Sequence, residues 1–184
     1  NKDYAEPTTV SISGGTVSSE NYVAVLNRVD SNAGDGYSIG ITDNAIIDGA
    51  TAAIMKVDDA SSVDQDIDGG TFIVHTYNDL KEYLEAGVNV VMGKSITTTN
   101  HADETDRIVI DSKASTLDLN GKTLSVTTSG SEQTLIKIVG TELSPGSLTL
   151  KDTGSGGTID MNGEKPYIFF TSKYSRLTIE SGTA

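Results

Sequence analysis

The chain has 184 residues, a net charge of −13, 19 glycines, three prolines and neither cysteine nor tryptophan. Length alone supports a buried core without staples, and the missing cysteine excludes disulfides, thiolate zinc sites and thiol catalysis. The acid excess argues against nucleic acid and anionic membrane surfaces as partners, and no apolar run reaches the ~20 residues of a membrane-spanning helix.

The charge divides the chain. Residues 1–75 hold 12 acidic side chains against three basic ones, and residues 76–184 hold 14 against ten. The expected organisation is an acidic first part, 1–75, and a second part, 76–184, that opens on a helix, with both built from the same kind of coil or continuous as one domain.

In chain order, the first strand signature is VSISGGTV (10–17), followed by YVAVLNRV (22–29). NAIIDGAT (44–51), AAIMKV (52–57) and QDIDGGTF (65–72) repeat the pattern. After position 76 come LDLNGKTL (117–124), TLIKIV (134–139), LTLKDTGSGGTI (148–159), YIFF (167–170) and LTIESGTA (177–184). VSISGGTV, NAIIDGAT, QDIDGGTF, LDLNGKTL, LTLKDTGSGGTI and LTIESGTA each have an aliphatic residue, a glycine corner, then the start of another short strand, while YVAVLNRV, AAIMKV, TLIKIV and YIFF are strands that follow the corners. Val10/Ile12, Leu117/Leu119, Leu148/Leu150 and Leu177/Ile179 are i, i+2 pairs, which point to one face of a strand. Glycine supplies positive φ where the chain turns. Taking Ile12, Ile46, Ile67, Leu119, Leu150 and Ile179 as anchors gives gaps of 34, 21, 52, 31 and 29 residues, suited to solenoid coils with variable loops.

One helix interrupts the series. Thr76 and Asp79 have capping-box spacing, Leu80, Tyr83 and Leu84 fall on one helical face, and Gly87 supplies a stop. The spacing predicts a helix over 77–86, followed by a buried strand in VNVVM (88–92).

These coils, LDLNGKTL and LTLKDTGSGGTI above all, resemble those of right-handed parallel β-helix proteins of the pectin-lyase-like architecture, including large secreted or surface-anchored bacterial proteins of the adhesin type. The resemblance implies an all-β right-handed parallel β-helix, a β-solenoid, with one short helix. A β-sandwich with glycine-rich turns is the alternative. The fold hosts lyases, hydrolases and non-enzymatic adhesins alike, so it implies no particular reaction.

Candidate sites are few. Asp64, Asp66 and Asp68 form D-x-D-x-D-G with Gly69, the first half of a calcium loop whose hard oxygen ligands suit Ca²⁺. The twelfth position is His75 rather than glutamate, which breaks the full signature, and a solvated acidic strand face is the alternative. Asp30–Gly36 reads as a polar turn, and 97–106 as an acidic surface loop. Asp118 with Lys122 and Asp160 with Lys151 pair opposite charges near corners, without the motif of any lyase or hydrolase. His75 and His101 lie outside metal-ligand spacing.

The expected function is therefore structural and not enzymatic: a segment of an extracellular bacterial surface adhesin, or a subunit of a head-to-tail extracellular fibre. No cofactor is required, with calcium as an optional ligand. Val10 and Ile12 at one end and Leu177 and Ile179 at the other are the expected assembly residues, with strand addition by residues 1–9 as a variant. Partners are a second copy, glycans or a host surface. The alternative is a carbohydrate-active or carbohydrate-binding β-helix module, although aromatic residues make up only 5% of the chain.

Overall fold

A computed structural model describes residues 8–29, 37–58, 64–99, 106–131 and 133–183. They form a parallel β-solenoid of about five turns, mostly strand with one short helix, and not a sandwich. The chain divides into two compact units, Asn1–Ile73 and Val74–Ala184.

In the first unit, β1 (Thr8–Ile12), β2 (Thr16–Ser19) and β3 (Val25–Val29) make one coil; β4 (Tyr37–Gly49) and β5 (Ile54–Asp58) make the next; β6 (Asp64–Val74) follows. Every pairing between coils is parallel, so equivalent residues stack. Ile12 lies beside Ile41 and Ile41 beside Ile67. Past the corner, Val17, Ile47 and Phe72 form a second column. Val25 pairs with Ile54 in a third sheet. Ile41, Ile47 and Phe72 are fully buried.

Ile46 is not the anchor of its coil, as its sequence context suggests. It lies beside Thr16 and Thr71, and Ile41 fills the column instead. The cause is local backbone geometry. Asp43 adopts φ 55°, and the β4–β6 register shifts between Asp43 and Ile46, so β4 bends through the corner instead of ending there.

The second unit begins with α1 (Tyr77–Ala86). Three coils follow: β7 (Asn89–Met92), β8 (Ile96–Thr99) and β9 (Ile108–Asp111); β10 (Ala114–Asp118), β11 (Thr123–Ser131) and β12 (Thr134–Val139); β13 (Gly146–Lys151), β14 (Thr158–Glu164) and β15 (Tyr167–Thr171). β16 (Ser175–Ile179) starts another. The strands sort into three parallel sheets, β7-β10-β13-β16, β8-β11-β14 and β9-β12-β15. Their apolar columns are Val90–Leu117–Leu150–Ile179, Ile96–Leu124–Ile159 and Ile108–Ile136–Phe169. Each buried aliphatic contributes about 2 kcal/mol of hydrophobic stabilisation.

Leu119, expected beside Leu150, is displaced from that column by two positions. Leu117 pairs with Leu150, while the Leu119 N–H donates to the Lys151 carbonyl at 2.9 Å. With Leu117 and Ile41 as anchors the coil lengths become even: 29 and 26 residues in the first unit, then 27, 33 and 29 in the second. The apparent 52-residue gap disappears because β7 supplies a coil of its own through Val90.

The helix forms where its caps place it. The Thr76 hydroxyl accepts from the Asp79 N–H at 3.1 Å, and Gly87 ends the helix at φ 89°. Leu80, Tyr83 and Leu84 are buried where α1 packs against β7, β9 and β10. α1 also covers one edge of β9. Glu85 Oε1 accepts from the Val109 N–H at 2.8 Å, Lys81 donates to the Arg107 carbonyl at 2.7 Å, and the Tyr77 hydroxyl donates to the Asp106 carbonyl at 3.3 Å. Side chains thereby satisfy backbone groups that a bare strand edge would leave unpaired.

Candidate functional site

The edge coils of each unit contrast with the covered edge of β9. In the first unit, among the described residues, β1 pairs only with β4, and Val10 is 52% exposed although its register partner Ile39 is buried. In the second, Ile179 on β16 is 52% exposed although its partner Leu150 is fully buried. Ile12 and Leu177 are half-buried. The four expected assembly residues therefore lie on two edge strands, β1 and β16, and each strand presents both a backbone edge and apolar side chains.

A polar corner between coils was not legible from the charge pairs. Asp118 is buried and accepts from the Asn120 N–H at 2.9 Å, the Thr153 N–H at 3.0 Å and the Thr153 hydroxyl at 2.8 Å. Its nearest cation is Lys151, 3.8 Å away, rather than the expected Lys122. Asp160 accepts from the Asn162 amide at 3.1 Å. Asp152 repeats the arrangement one coil on. Its Oδ1 accepts from the Gly121 N–H at 2.6 Å and its Oδ2 from the Gly157 N–H at 2.8 Å. The Ser181 hydroxyl accepts from the Asp152 N–H at 2.7 Å, carrying the corner into the next coil. Asp118 and Asp152 are thus backbone clamps between coils, with their acceptor capacity used on the fold.

The N–H groups of Gly121 and Gly157, with a smaller contribution from Gly154, hold the Asp152 carboxyl below the ordinary aspartate range against the opposing effect of burial. A lowered folded-state pKa stabilises the fold above the unfolded-state pKa, and that stability is lost as pH falls through the ordinary aspartate range towards the folded value. Asp152→Asn should flatten this acid limb in melting temperature measured from neutral to acid pH. An acid limb identical to that of the wild type would detach Asp152 from the pH dependence.

A groove of about 470 Å³ is lined by Arg107, Thr134, Lys137, Tyr167, Phe169 and Phe170. Parallel register builds it, since Thr134 lies beside Tyr167, Ile136 beside Phe169 and Lys137 beside Phe170. Tyr167 and Phe170 are 50% and 49% exposed, and the Lys137 ammonium sits 6.0 Å from the Phe170 ring centre. Among the described residues two cations and no carboxylate line this groove, in a chain with twice as many acidic as basic side chains. YIFF is apolar throughout in the sequence, and period-two alternation puts Phe170 on the opposite side from Phe169.

The D-x-D-x-D segment lies on β6 as extended strand, with Asp64 beside Ser38, Asp66 beside Gly40 and Asp68 beside Thr42. Asp68 is exposed; the side chains of Asp64 and Asp66 lie outside the described set. Among the described residues no group of three or more acidic or histidine side chains is placed to hold a metal ion. The 30–36 turn, residues 100–105 with His101, and the 1–7 lead also lie outside the described residues. His75 lines a cleft of about 400 Å³ with Lys94 and Ser95 at the start of α1. Among the described residues no helix is long and apolar enough to cross a membrane.

Comparisons with protein-family models, curated proteins and solved structures returned no match. The resemblance to β-helix proteins therefore holds at the level of fold: a parallel β-solenoid with repeating coils.

Proposed function

We propose that the chain is a structural β-solenoid segment whose edge coils stack end to end with a second copy, in a surface adhesin stalk or an extracellular fibre. One observation carries this reading. Seven large hydrophobic side chains are exposed among the described residues, and six belong to edge coils: Val10, Tyr22 and Leu26 in the first unit, Tyr167, Phe170 and Ile179 in the second. The seventh, Leu143, lies in the β12–β13 loop. Val10 and Ile179 belong to apolar columns that run out at the edge strands β1 and β16, and such columns are completed by another parallel strand, which also takes up the edge's backbone donors and acceptors. The contrast with β9, whose edge α1 covers, supports the assignment. The extracellular location in this reading rests on the resemblance of the coils to those of secreted and surface-anchored solenoids. Mass measured by light scattering across concentration should rise for the wild type and stay monomeric for Ile179→Lys; equal masses for both would overturn the stacking reading.

The groove favours a second reading, a carbohydrate-binding module, because Tyr167 and Phe170 present half-exposed ring faces beside Lys137. Its test is a glycan array with wild type and Tyr167→Ala. Binding lost in the variant supports it, and an array without signal removes it.

A further inference from the structure

We infer that Asn162–Gly163 is a site of spontaneous deamidation, and that Asp152 holds the other Asn-Gly pair, Asn120–Gly121, out of the same reaction. In this chemistry the backbone nitrogen of the glycine attacks the asparagine Cγ. A nitrogen–carbon bond forms, the Cγ–Nδ2 bond breaks, and ammonia leaves with the displaced proton. Water then opens the cyclic imide at either carbonyl, giving aspartate or isoaspartate. The step needs a glycine N–H that can lose its proton and an amide side chain able to swing over it.

The fold denies both at Asn120. The residue sits at φ 48° and Gly121 at φ 69°, in a turn closed by the Lys122 N–H donating to the Leu119 carbonyl at 2.8 Å. The attacking nitrogen, that of Gly121, donates its proton to Asp152 Oδ1 at 2.6 Å. An anionic acceptor favours the protonated amide and fixes its direction. The Asn120 side chain is tied down as well, donating to the Met92 carbonyl at 3.2 Å.

Asn162 lies in a more exposed setting, with an exposed carboxylate rather than a neighbouring coil's backbone as its partner. It is exposed on β14, and its amide donates across the surface to Asp160 at 3.1 Å. The β11–β14 register breaks here: Asn162 pairs with Thr127 but Glu164 with Ser131, so the ladder is irregular at Gly163. Lys165 then takes φ 55° as the strand ends. Glycine is required at 163, because a Cβ there would strike the Thr128 side chain and lie 3.0 Å from its carbonyl oxygen. Packing thus keeps the reactive pair in place. Conversion adds a carboxylate beside Asp160, and the isoaspartate product lengthens the backbone within β14.

The test is prolonged incubation of the purified protein at mildly alkaline pH, followed by peptide mapping for the one-dalton gain and for isoaspartate. Asn162 should convert roughly tenfold faster than Asn120 or more, the factor one charge-assisted hydrogen bond supplies. Asn162→Gln should abolish the wild-type signal, and Asp152→Ala should raise conversion at Asn120. Because Asp152→Ala also loosens a corner, the wild type is incubated in parallel in concentrated urea, where both pairs should convert at similar rates. Asn120 converting as fast as Asn162 in the folded protein, no gain at Asn162, or Asn120 silent in urea would each overturn the inference.

Discussion

Asp118→Ala should lower the unfolding free energy by about 3 kcal/mol, because it strips the acceptor from two backbone N–H groups and a hydroxyl at a buried corner. For a chain of this size that corresponds to roughly 10 °C in melting temperature. The loss is steep because alanine removes the charged acceptor that ties the donors of Asn120 and Thr153, on successive coils, to one another. Asp118→Asn keeps one acceptor oxygen and should lose about half as much. Urea unfolding of the three proteins checks the order. A loss for alanine under about 1 kcal/mol, the worth of a surface ion pair, would reduce Asp118 to a partner of Lys151.

Gly146→Ala should be of comparable severity. A Cβ at this position would overlap the carbonyl oxygen of Val139 and lie 3.3 Å from the carbonyl oxygen of Ile110. Both obstacles are backbone atoms, so no side-chain rotation relieves them. The Gly146 N–H also donates to the Tyr174 carbonyl at 3.1 Å, holding the start of β13 against the following coil. Overpacking of this kind costs about 3 kcal/mol. Gly14→Ala is the matched control. Nothing lies within 4 Å of a Cβ there, and a more restricted unfolded chain should leave the variant unchanged or up to about 1 kcal/mol more stable. Melting the two variants side by side separates tight backbone packing from a general intolerance of alanine for glycine; equal effects would contradict it.

The repeating unit was legible because parallel stacking needs like residues in register. Val17 and Phe72 occupy one column with Ile47, and Leu150 and Ile179 stack as neighbours. The helix was legible to its ends because Thr76 and Gly87 make local contacts that depend on nothing distant. Register was the weak point. In LDLNG both Leu117 and Leu119 are buried, so burial pattern cannot choose between them; the choice falls to the Leu119 N–H to Lys151 carbonyl bond in the neighbouring coil. Ile46 misled for a related reason: its strand bends at Asp43 while staying paired, and only glycine corners are visible as strand ends in a sequence. The Asp152 clamp was hidden because its donors, Gly121 and Gly157, lie 31 residues before and five residues after it. The groove was hidden because Lys137 and Phe170 meet only through the β12–β15 register.

End-to-end stacking is tested most directly by mixing two blocked proteins, Val10→Lys, which spoils β1, and Ile179→Lys, which spoils β16. Each keeps one intact edge of the other kind, so a contact between unlike edges makes each variant monomeric alone, whereas their mixture forms a species of two copies and stops there. Light scattering of the wild type, each variant and the mixture at the same total concentration reads this out. Growth of the wild type with a mixture halted at two copies is the expected result. A mixture that stays monomeric while the wild type grows, or an Ile179→Lys protein that grows alone, would contradict stacking through these two edges.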